Sequence, residues 1–158
     1  MAFSLTRRES IVAALAAGTT GAIVLDAFLL LVPFPGTAYL GPVEFYTFAA
    51  TVLAGNTAAG TTWAVPVGML WHVVVGVMWA FGYLYVARTK PQLVRRPAIS
   101  GTAFGVVVGC VTLLTMALVG KYEPLTIHAI DRDLIAYTVF FGIPLALVAA
   151  RLTPALPN

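Results

Sequence analysis

Four long apolar stretches dominate the sequence, each bounded by charged residues or by clusters of proline and glycine. The clearest runs from Val65 to Val86, where the ionisable side chains are His72 and two tyrosines near the far end. At a rise of about 1.5 Å per residue, a helix over this stretch is about 33 Å long. This length matches the hydrocarbon core of a bilayer, which is about 30 Å thick. The pattern therefore predicts membrane-spanning helices.

Local signals set the expected bounds of these helices. Ser10 is a candidate N-cap for the first, and the segment Pro33–Gly36 is a firm stop after it. Pro66 falls in the first turn of the second helix, where a missing N–H costs little, and Pro144 predicts a kink in the fourth. The predicted spans cover residues of about 10–32, 62–87, 98–119 and 134–151.

The first apolar stretch has an alternative interpretation as a cleaved signal peptide. Arg7 and Arg8 precede it, which is a faint likeness to a twin-arginine signal. However, the stretch is longer than the usual apolar region of about 7–15 residues, and no small-residue cleavage site follows it. The pattern therefore favours a membrane span.

A shorter apolar helix is predicted between the first two spans. The sequence Gly41–Glu44 has the features of a helix start, with proline at the first position and an acid in the first turn. The helix covers about 42–54, which is too short to cross a bilayer upright. We expect an interfacial or re-entrant helix. Nearby aromatic residues suit the headgroup zone: Phe45, Tyr46, Phe48 and Trp63.

The composition supports burial in lipid. The chain is 60% hydrophobic and 9% charged, whereas a soluble domain carries about 25% charged residues. We therefore predict an all-α, integral membrane four-helix bundle with one extra short helix, forming a single transmembrane domain over residues 1–158. The one cysteine, Cys110, lies in an apolar run and cannot form an intrachain disulfide, so we expect inert packing.

The distribution of basic residues predicts the orientation. With four spans, seven of them fall on one side: Arg7, Arg8, Arg88, Lys90, Arg95, Arg96 and Arg151. The other side holds Lys121 and Arg132. The positive-inside rule then predicts a multi-pass protein of the cell inner membrane with both termini in the cytoplasm. The four residues of the loop from 88 to 96 are expected to contact lipid headgroups rather than nucleic acid.

Small residues four positions apart predict where the helices touch. Positions i and i+4 share a helix face, and small residues allow the close backbone approach that holds membrane helices together. The expected packing glycines are Gly18, Gly68, Gly76, Gly101, Gly105, Gly109 and Gly142.

Two of these faces also carry the deeply placed ionisable residues Asp26 and His72. A charged aspartate inside a bilayer costs about 2.5–3.5 kcal/mol, so Asp26 should face the bundle and have a partner. His72 is the best candidate, because a carboxylate favours a charged imidazole beside it. We expect a polar intramembrane site, which three residues at similar depth complete: Thr112, Tyr137 and Thr138. This polar site has two possible roles. It binds a proton, a cation or a small solute, or it is a structural hydrogen bond that fixes the register of the helices.

Other kinds of site have less support in the sequence. A bis-histidine haem would need a second intramembrane histidine, and His128 lies in a polar segment, so no cofactor or metal is expected. His128 with Glu123, Asp131 and Asp133 is either a weak cation site or a solvated loop. No metalloprotease, Walker or dinucleotide-binding motif occurs, so we do not expect an enzyme.

The main functional hypothesis is a non-catalytic subunit that associates with copies of itself or with a larger membrane complex. The alternative is a small transporter, channel or sensor for a small solute, proton or cation, with Asp26 and His72 as working groups. A third hypothesis is a cofactor-binding electron-transfer subunit.

Overall fold

The computed structural model describes residues 6–32, 42–118 and 127–153. These residues form helices and connecting turns, and none of them is in a β-strand. Four helical segments are long and apolar enough to cross a membrane: α1 (Arg7–Leu31), α3 (Ala64–Thr89), α5 (Pro97–Leu118) and a fourth span over Ile130–Leu152. The prediction of an all-α four-helix bundle is confirmed.

Two short helices accompany the four spans. The helix α2 covers Pro42–Ala54, as predicted, and a single 3-10 turn over Asn56–Ala58 follows it. A four-residue helix, α4, covers Gln92–Arg95 in the basic loop, where no helix was predicted.

The first helix begins earlier than predicted, and the N-cap prediction for Ser10 is wrong. Thr6 is the N-cap, and Thr6 and Glu9 form a reciprocal capping box. Because this box satisfies the first backbone N–H groups, the helix starts at Arg7 rather than at residue 10. Ser10 lies inside the helix instead, and its hydroxyl donates a hydrogen bond to the Thr6 carbonyl at 2.9 Å.

The second and third spans differ slightly from their predicted ranges. The helix α3 covers residues 64–89 where 62–87 was predicted, because Thr62 and Trp63 form a turn before it. Its C-terminal end includes Arg88, whose positive charge suits the negative end of the helix dipole. The helix α5 covers residues 97–118 where 98–119 was predicted.

The fourth span begins earlier than the predicted residue 134. The helix α6 covers Ile127–Ile135, a π-helical segment follows over Ala136–Gly142, and α7 covers Ile143–Leu152. The polar residues 127–133 are thus part of a helix. The π-helical segment ends two residues before Pro144, which has no N–H to donate to the preceding turn.

The helix α1 and the fourth span form the centre of the bundle. α1 packs against α3 on one side and against the π-helical segment and α7 on the other, while α5 packs against the fourth span. Between the central helices, the rings of Phe28 and Phe140 stack with centroids 4.1 Å apart. α2 packs against α3.

Glycines bring these helix backbones together. A Cβ atom on Gly18 would collide with Val77 of α3, and one on Gly105 would collide with the Tyr137 carbonyl. Glycine is therefore needed at these positions to permit the close approach. All seven glycines predicted to mediate packing lie where an added Cβ atom would press on a neighbouring element.

The N-terminal end of α1 and the C-terminal end of α7 lie at the same end of the bundle. Thr6 and Leu152 line one shallow hollow there, and Arg88 at the end of α3 donates a hydrogen bond to Ser10 near the start of α1. We call this the arginine end, because Arg7, Arg8, Arg88 and Arg151 lie on the helix termini that meet there. The opposite end carries α2.

Large apolar side chains face outward on the flanking helices. Leu70 and Met78 of α3 are 64% and 63% exposed, and Ile99 and Leu114 of α5 are 66% and 61% exposed. Such surfaces are unusual for a protein in water but suit contact with lipid tails. They are consistent with a multi-pass membrane protein.

Candidate functional site: a buried Asp–His–Tyr cluster

Asp26 of α1 and His72 of α3 form an ion-pair contact between the two helices. Asp26 Oδ1 and His72 Nδ1 are 2.5 Å apart, and the carboxylate residue is 8% exposed. The contact exists because Gly18 and Gly76 allow α1 and α3 to approach closely. Gly76 lies one turn from His72, and Gly18 two turns from Asp26, both towards the arginine end. By helix rise, Asp26 lies about 8 Å from the end of α1, and His72 about 12 Å from the start of α3.

The two facing atoms depend on each other. Both are buried, they face each other without the angular geometry of a good hydrogen bond, and neither has a hydrogen-bond partner among the residues that the structure describes. Burying an unpaired charge is costly, so each group of the pair offsets the burial of the other.

Tyr46 of α2 is the third member of the cluster. Its hydroxyl donates a hydrogen bond of 2.9 Å to Asp26 Oδ2, the carboxylate oxygen that does not face His72. Both oxygens of Asp26 are thus engaged. Tyr46 reaches this position because its own carbonyl lies against Gly68 of α3, where a Cβ atom would collide with it.

The environment of Tyr46 keeps its hydroxyl protonated. Burial, then the charge of the Asp26 carboxylate and the hydrogen bond to it, raise the pKa of Tyr46 to about 12. At neutral pH the phenol is therefore a hydrogen-bond donor to Asp26. Tyr46 faces the interior of the bundle, since its side chain is only 8% exposed, and its depth relative to the headgroup zone stays a prediction.

Only an indirect signal in the sequence points to this role of Tyr46. Gly68 marks a close approach on the face of α3 that also carries His72, but the partner helix could not be identified from spacing. The neighbouring Phe45 meets His72 as well, with ring centroids 5.5 Å apart and planes at 89°. Two consecutive residues of α2 thus contact both members of the pair.

The three other residues predicted for this site lie between α5 and the fourth span. Tyr137 forms a side-chain hydrogen bond with Thr112 and interacts electrostatically with Asp26 and Asp133. The Cα atom of Thr138 lies against Gly105 of α5. Tyr137, Thr112 and Thr138 therefore belong to the interface between α5 and the fourth span rather than to the Asp–His–Tyr cluster.

The predicted headgroup residues at the arginine end fall into two groups. Lys90, Arg95 and Arg96 are exposed. Arg88 differs from the prediction: it is half-buried, its Nη2 donates to Ser10 Oγ, and its buried Nε has no hydrogen-bond partner in the described part of the chain. It stabilises the junction of α1 and α3 in addition to supplying charge.

Two further sequence expectations have different outcomes. Cys110 is exposed on α5, so the expectation that it packs inside the bundle is wrong. The side chain of His128 and the whole of Glu123 lie outside the described residues. Within the described ranges, no three His, Cys, Asp or Glu side chains are grouped as the ligands of a metal ion would be.

No protein-family model matches the chain, and comparisons with curated proteins and with solved structures find no significant match.

Proposed function

We propose that this chain is a small, non-catalytic membrane protein whose working group is the Asp26–His72 pair, a proton-binding centre of a sensor or transporter. The observation that carries the proposal is the ion-pair contact of 2.5 Å between two buried groups on helices long enough to cross a bilayer. Ionisable groups at membrane depth are costly to maintain and are functional by default.

The chemistry of the cluster favours a proton over a metal cation. Na⁺ and Ca²⁺ need several oxygen ligands, whereas the cluster offers one carboxylate already engaged by an imidazole and a phenol. A protonated imidazole also repels other cations. A proton requires no more than the carboxylate and the ring.

Direct titration of His72 tests proton binding. The chain has two histidines, so His72→Gln assigns the two imidazole signals in a protein labelled with ¹⁵N-histidine. We expect the His72 signal to change over about pH 5–8, the range in which histidine usually titrates, and to change at other pH values in Asp26→Asn. A His72 signal that is constant across this range would rule out the proposal.

Proton flux in vesicles separates a transporter from a sensor. The protein is reconstituted with a trapped pH-sensitive dye, and the proton flux of Asp26→Asn and of His72→Gln is compared with that of Asp131→Asn. This third variant removes an exposed carboxylate near the end of the bundle opposite the arginine end. A transporter loses flux in the first two variants and keeps it in the third. Titration of His72 without flux in the unchanged protein supports a sensor.

A second candidate function is that of a subunit in a homo-oligomer or a larger membrane complex. It is supported by the outward faces of α3 and α5, where no described helix covers Leu70, Met78 or Leu114 and a partner helix could replace lipid. Native mass spectrometry in mild detergent tests it. A strictly monomeric species without a co-purifying partner would contradict it.

We also propose that the arginine end faces the cytoplasm, with the protein in the cell inner membrane. The support is the positive-inside rule together with the common location of the described ends of α1 and α7 at that end. Lys90, Arg95 and Arg96 are exposed there and suit anionic headgroups.

A further inference from the structure

The short helix α2 covers both members of the Asp26–His72 pair from the end opposite the arginines. Tyr46 donates its hydrogen bond to Asp26, and Phe45 stands edge-on against the ring of His72. Tyr46 is buried, while Val43 and Leu53 on the outer side of α2 are 60% and 53% exposed. The helix α2 is thus a single layer of protein that separates the pair from the surroundings of the bundle.

The attachment of α2 is mainly to a single helix. It packs against α3, where Gly68 receives the Tyr46 carbonyl so closely that no Cβ atom would fit. A polar link from α2 to α1 runs through the Tyr46 hydroxyl and Asp26. This link therefore ties α2 to the titratable pair itself.

The connection from α2 to α3 contains two glycines whose backbone lies in the left-handed region. Gly55 and Gly60 have φ angles of 73° and 78°, a region that glycine adopts without a steric penalty. Nothing lies within 4 Å of a Cβ atom placed on either residue. Hinges of moving segments are a few such loop positions that absorb changes of φ and ψ.

We propose that α2 is a lid over the Asp26–His72 pair and that Tyr46 is the positioning residue that holds the lid closed. The proposal rests on the proposed function, because the lid would control the access of protons to the pair. A hydrogen bond to a charged carboxylate is stronger than one to a neutral carboxyl group. Proton uptake by Asp26 therefore loosens the lid. Within the described part of the chain, the other titratable groups that interact with Asp26 are His72 of α3, which is in contact with it, and Tyr137 of the fourth span, which acts electrostatically.

Chemical reactivity of His72 tests the lid in the full-length protein in lipid nanodiscs. Modification by diethyl pyrocarbonate is followed by mass spectrometry of the peptide that contains His72. Tyr46→Phe keeps the ring and removes the hydroxyl, while Gly68→Ala presses on the Tyr46 carbonyl. Gly82→Ala is the matched control, because it adds the same methyl group to α3 where nothing lies within 4 Å.

We expect Tyr46→Phe to raise the rate of modification about tenfold, which corresponds to about 1.4 kcal/mol, close to the lower end of the range for a hydrogen bond to a charged group. Gly68→Ala should raise it at least as much, and Gly82→Ala should leave it unchanged. Amide exchange of residues 43–54 gives a second measurement that does not depend on the charge of the ring, and it should become faster in Tyr46→Phe.

Tyr46→Phe decides the outcome even if Gly68→Ala fails to fold. A modification rate and an amide exchange rate equal to those of the unchanged protein would overturn the lid. This result is distinguishable from failure of the proposed function. If His72 titrates but Tyr46→Phe changes neither rate, proton binding stands and the lid is wrong. If both rates rise but His72 does not titrate, α2 is a lid over a pair that does not bind protons.

Discussion

Gly101 of α5 and Gly142 of the fourth span meet backbone to backbone: a Cβ atom on Gly101 would lie 2.5 Å from the Gly142 carbonyl oxygen. We expect Gly101→Ala to separate the two helices and to lower the free energy of unfolding by about 1–3 kcal/mol, the usual cost of overpacking. Unfolding in mixed detergent micelles with increasing SDS measures this change.

The control for this substitution is Gly82→Ala in α3, at an exposed position with open space around it. Alanine is favoured over glycine in a helix by about 0.5–1 kcal/mol, so the control should be neutral or slightly stabilising. Equal stabilities for the two alanine variants would show that the contact between Gly101 and Gly142 is not tight in the membrane-embedded protein.

The hydrogen bond from Tyr46 to Asp26 should contribute to stability through the charge of the carboxylate. We expect Tyr46→Phe to cost about 1.5–3 kcal/mol in the unchanged protein, as for a hydrogen bond to a charged group, and about 0.5–1.5 kcal/mol in the Asp26→Asn background. A double-mutant cycle in SDS-induced unfolding gives the difference as a coupling energy. Strictly additive effects would mean that the hydroxyl and the carboxylate do not interact.

Most of the bundle could be predicted from the sequence because lipid imposes simple requirements. Each span must be long, apolar and helical, and these requirements locate the four spans to within a few residues, except that the helix of the fourth continues back to Ile127. Small residues on one helix face show where backbones approach. The pairing of Asp26 with His72 was expected on similar grounds, since a buried charge needs a partner.

The features that the sequence analysis missed depend on competition between neighbouring candidate residues or on tertiary contacts. One signal was present in the sequence: Thr6 and Ser10 are both plausible N-caps, and the capping-box spacing of Thr6 and Glu9 favours Thr6. An aromatic residue near a helix end suits either the headgroup zone or a buried contact, and the position of α2 on α3 decides this for Tyr46. The positive-inside rule alone accounts for a basic residue at Arg88, so the sequence does not reveal its hydrogen bond to Ser10.

Tyr46 should give the protein a distinct response at high pH. Its pKa is raised from 10.0 to about 12, so the folded state favours the protonated phenol. The resulting stabilisation is complete below about pH 10 and is lost as the pH rises through about 12. We expect α2 to detach over this interval, and its amide exchange should accelerate.

Tyrosinate absorbance checks this prediction. The difference between the titration of the unchanged protein and that of Tyr46→Phe isolates one of the six tyrosines, and its midpoint should lie near pH 12. A midpoint near pH 10 would show that the Tyr46 hydroxyl is not held against Asp26.

The bond from Arg88 to Ser10 should matter more than the exposed charges beside it. Arg88→Gln removes a half-buried guanidinium that joins α3 to α1, and we expect a loss of about 1–2 kcal/mol, less than a fully buried charged hydrogen bond because water screens part of it. Arg95→Gln removes an exposed charge and should change stability by less than about 0.5 kcal/mol. Thermal unfolding of the two variants in the same detergent compares them.

The orientation of the bundle makes a prediction with two separable parts. The described ends of α1 and α7 share the arginine end, so reporters fused to either terminus should lie on the same side of the membrane. By the positive-inside rule, the exposed charges of Lys90, Arg95 and Arg96 predict that this side is the cytoplasm. A C-terminal fluorescent protein should therefore fold and fluoresce, and a C-terminal alkaline phosphatase, which needs an oxidising compartment, should be inactive.

Neutralising Lys90, Arg95 and Arg96 together should produce a population with the opposite orientation. Reporters on opposite sides would contradict the four-span bundle, whereas two reporters outside would contradict only the assignment of the arginine end to the cytoplasm.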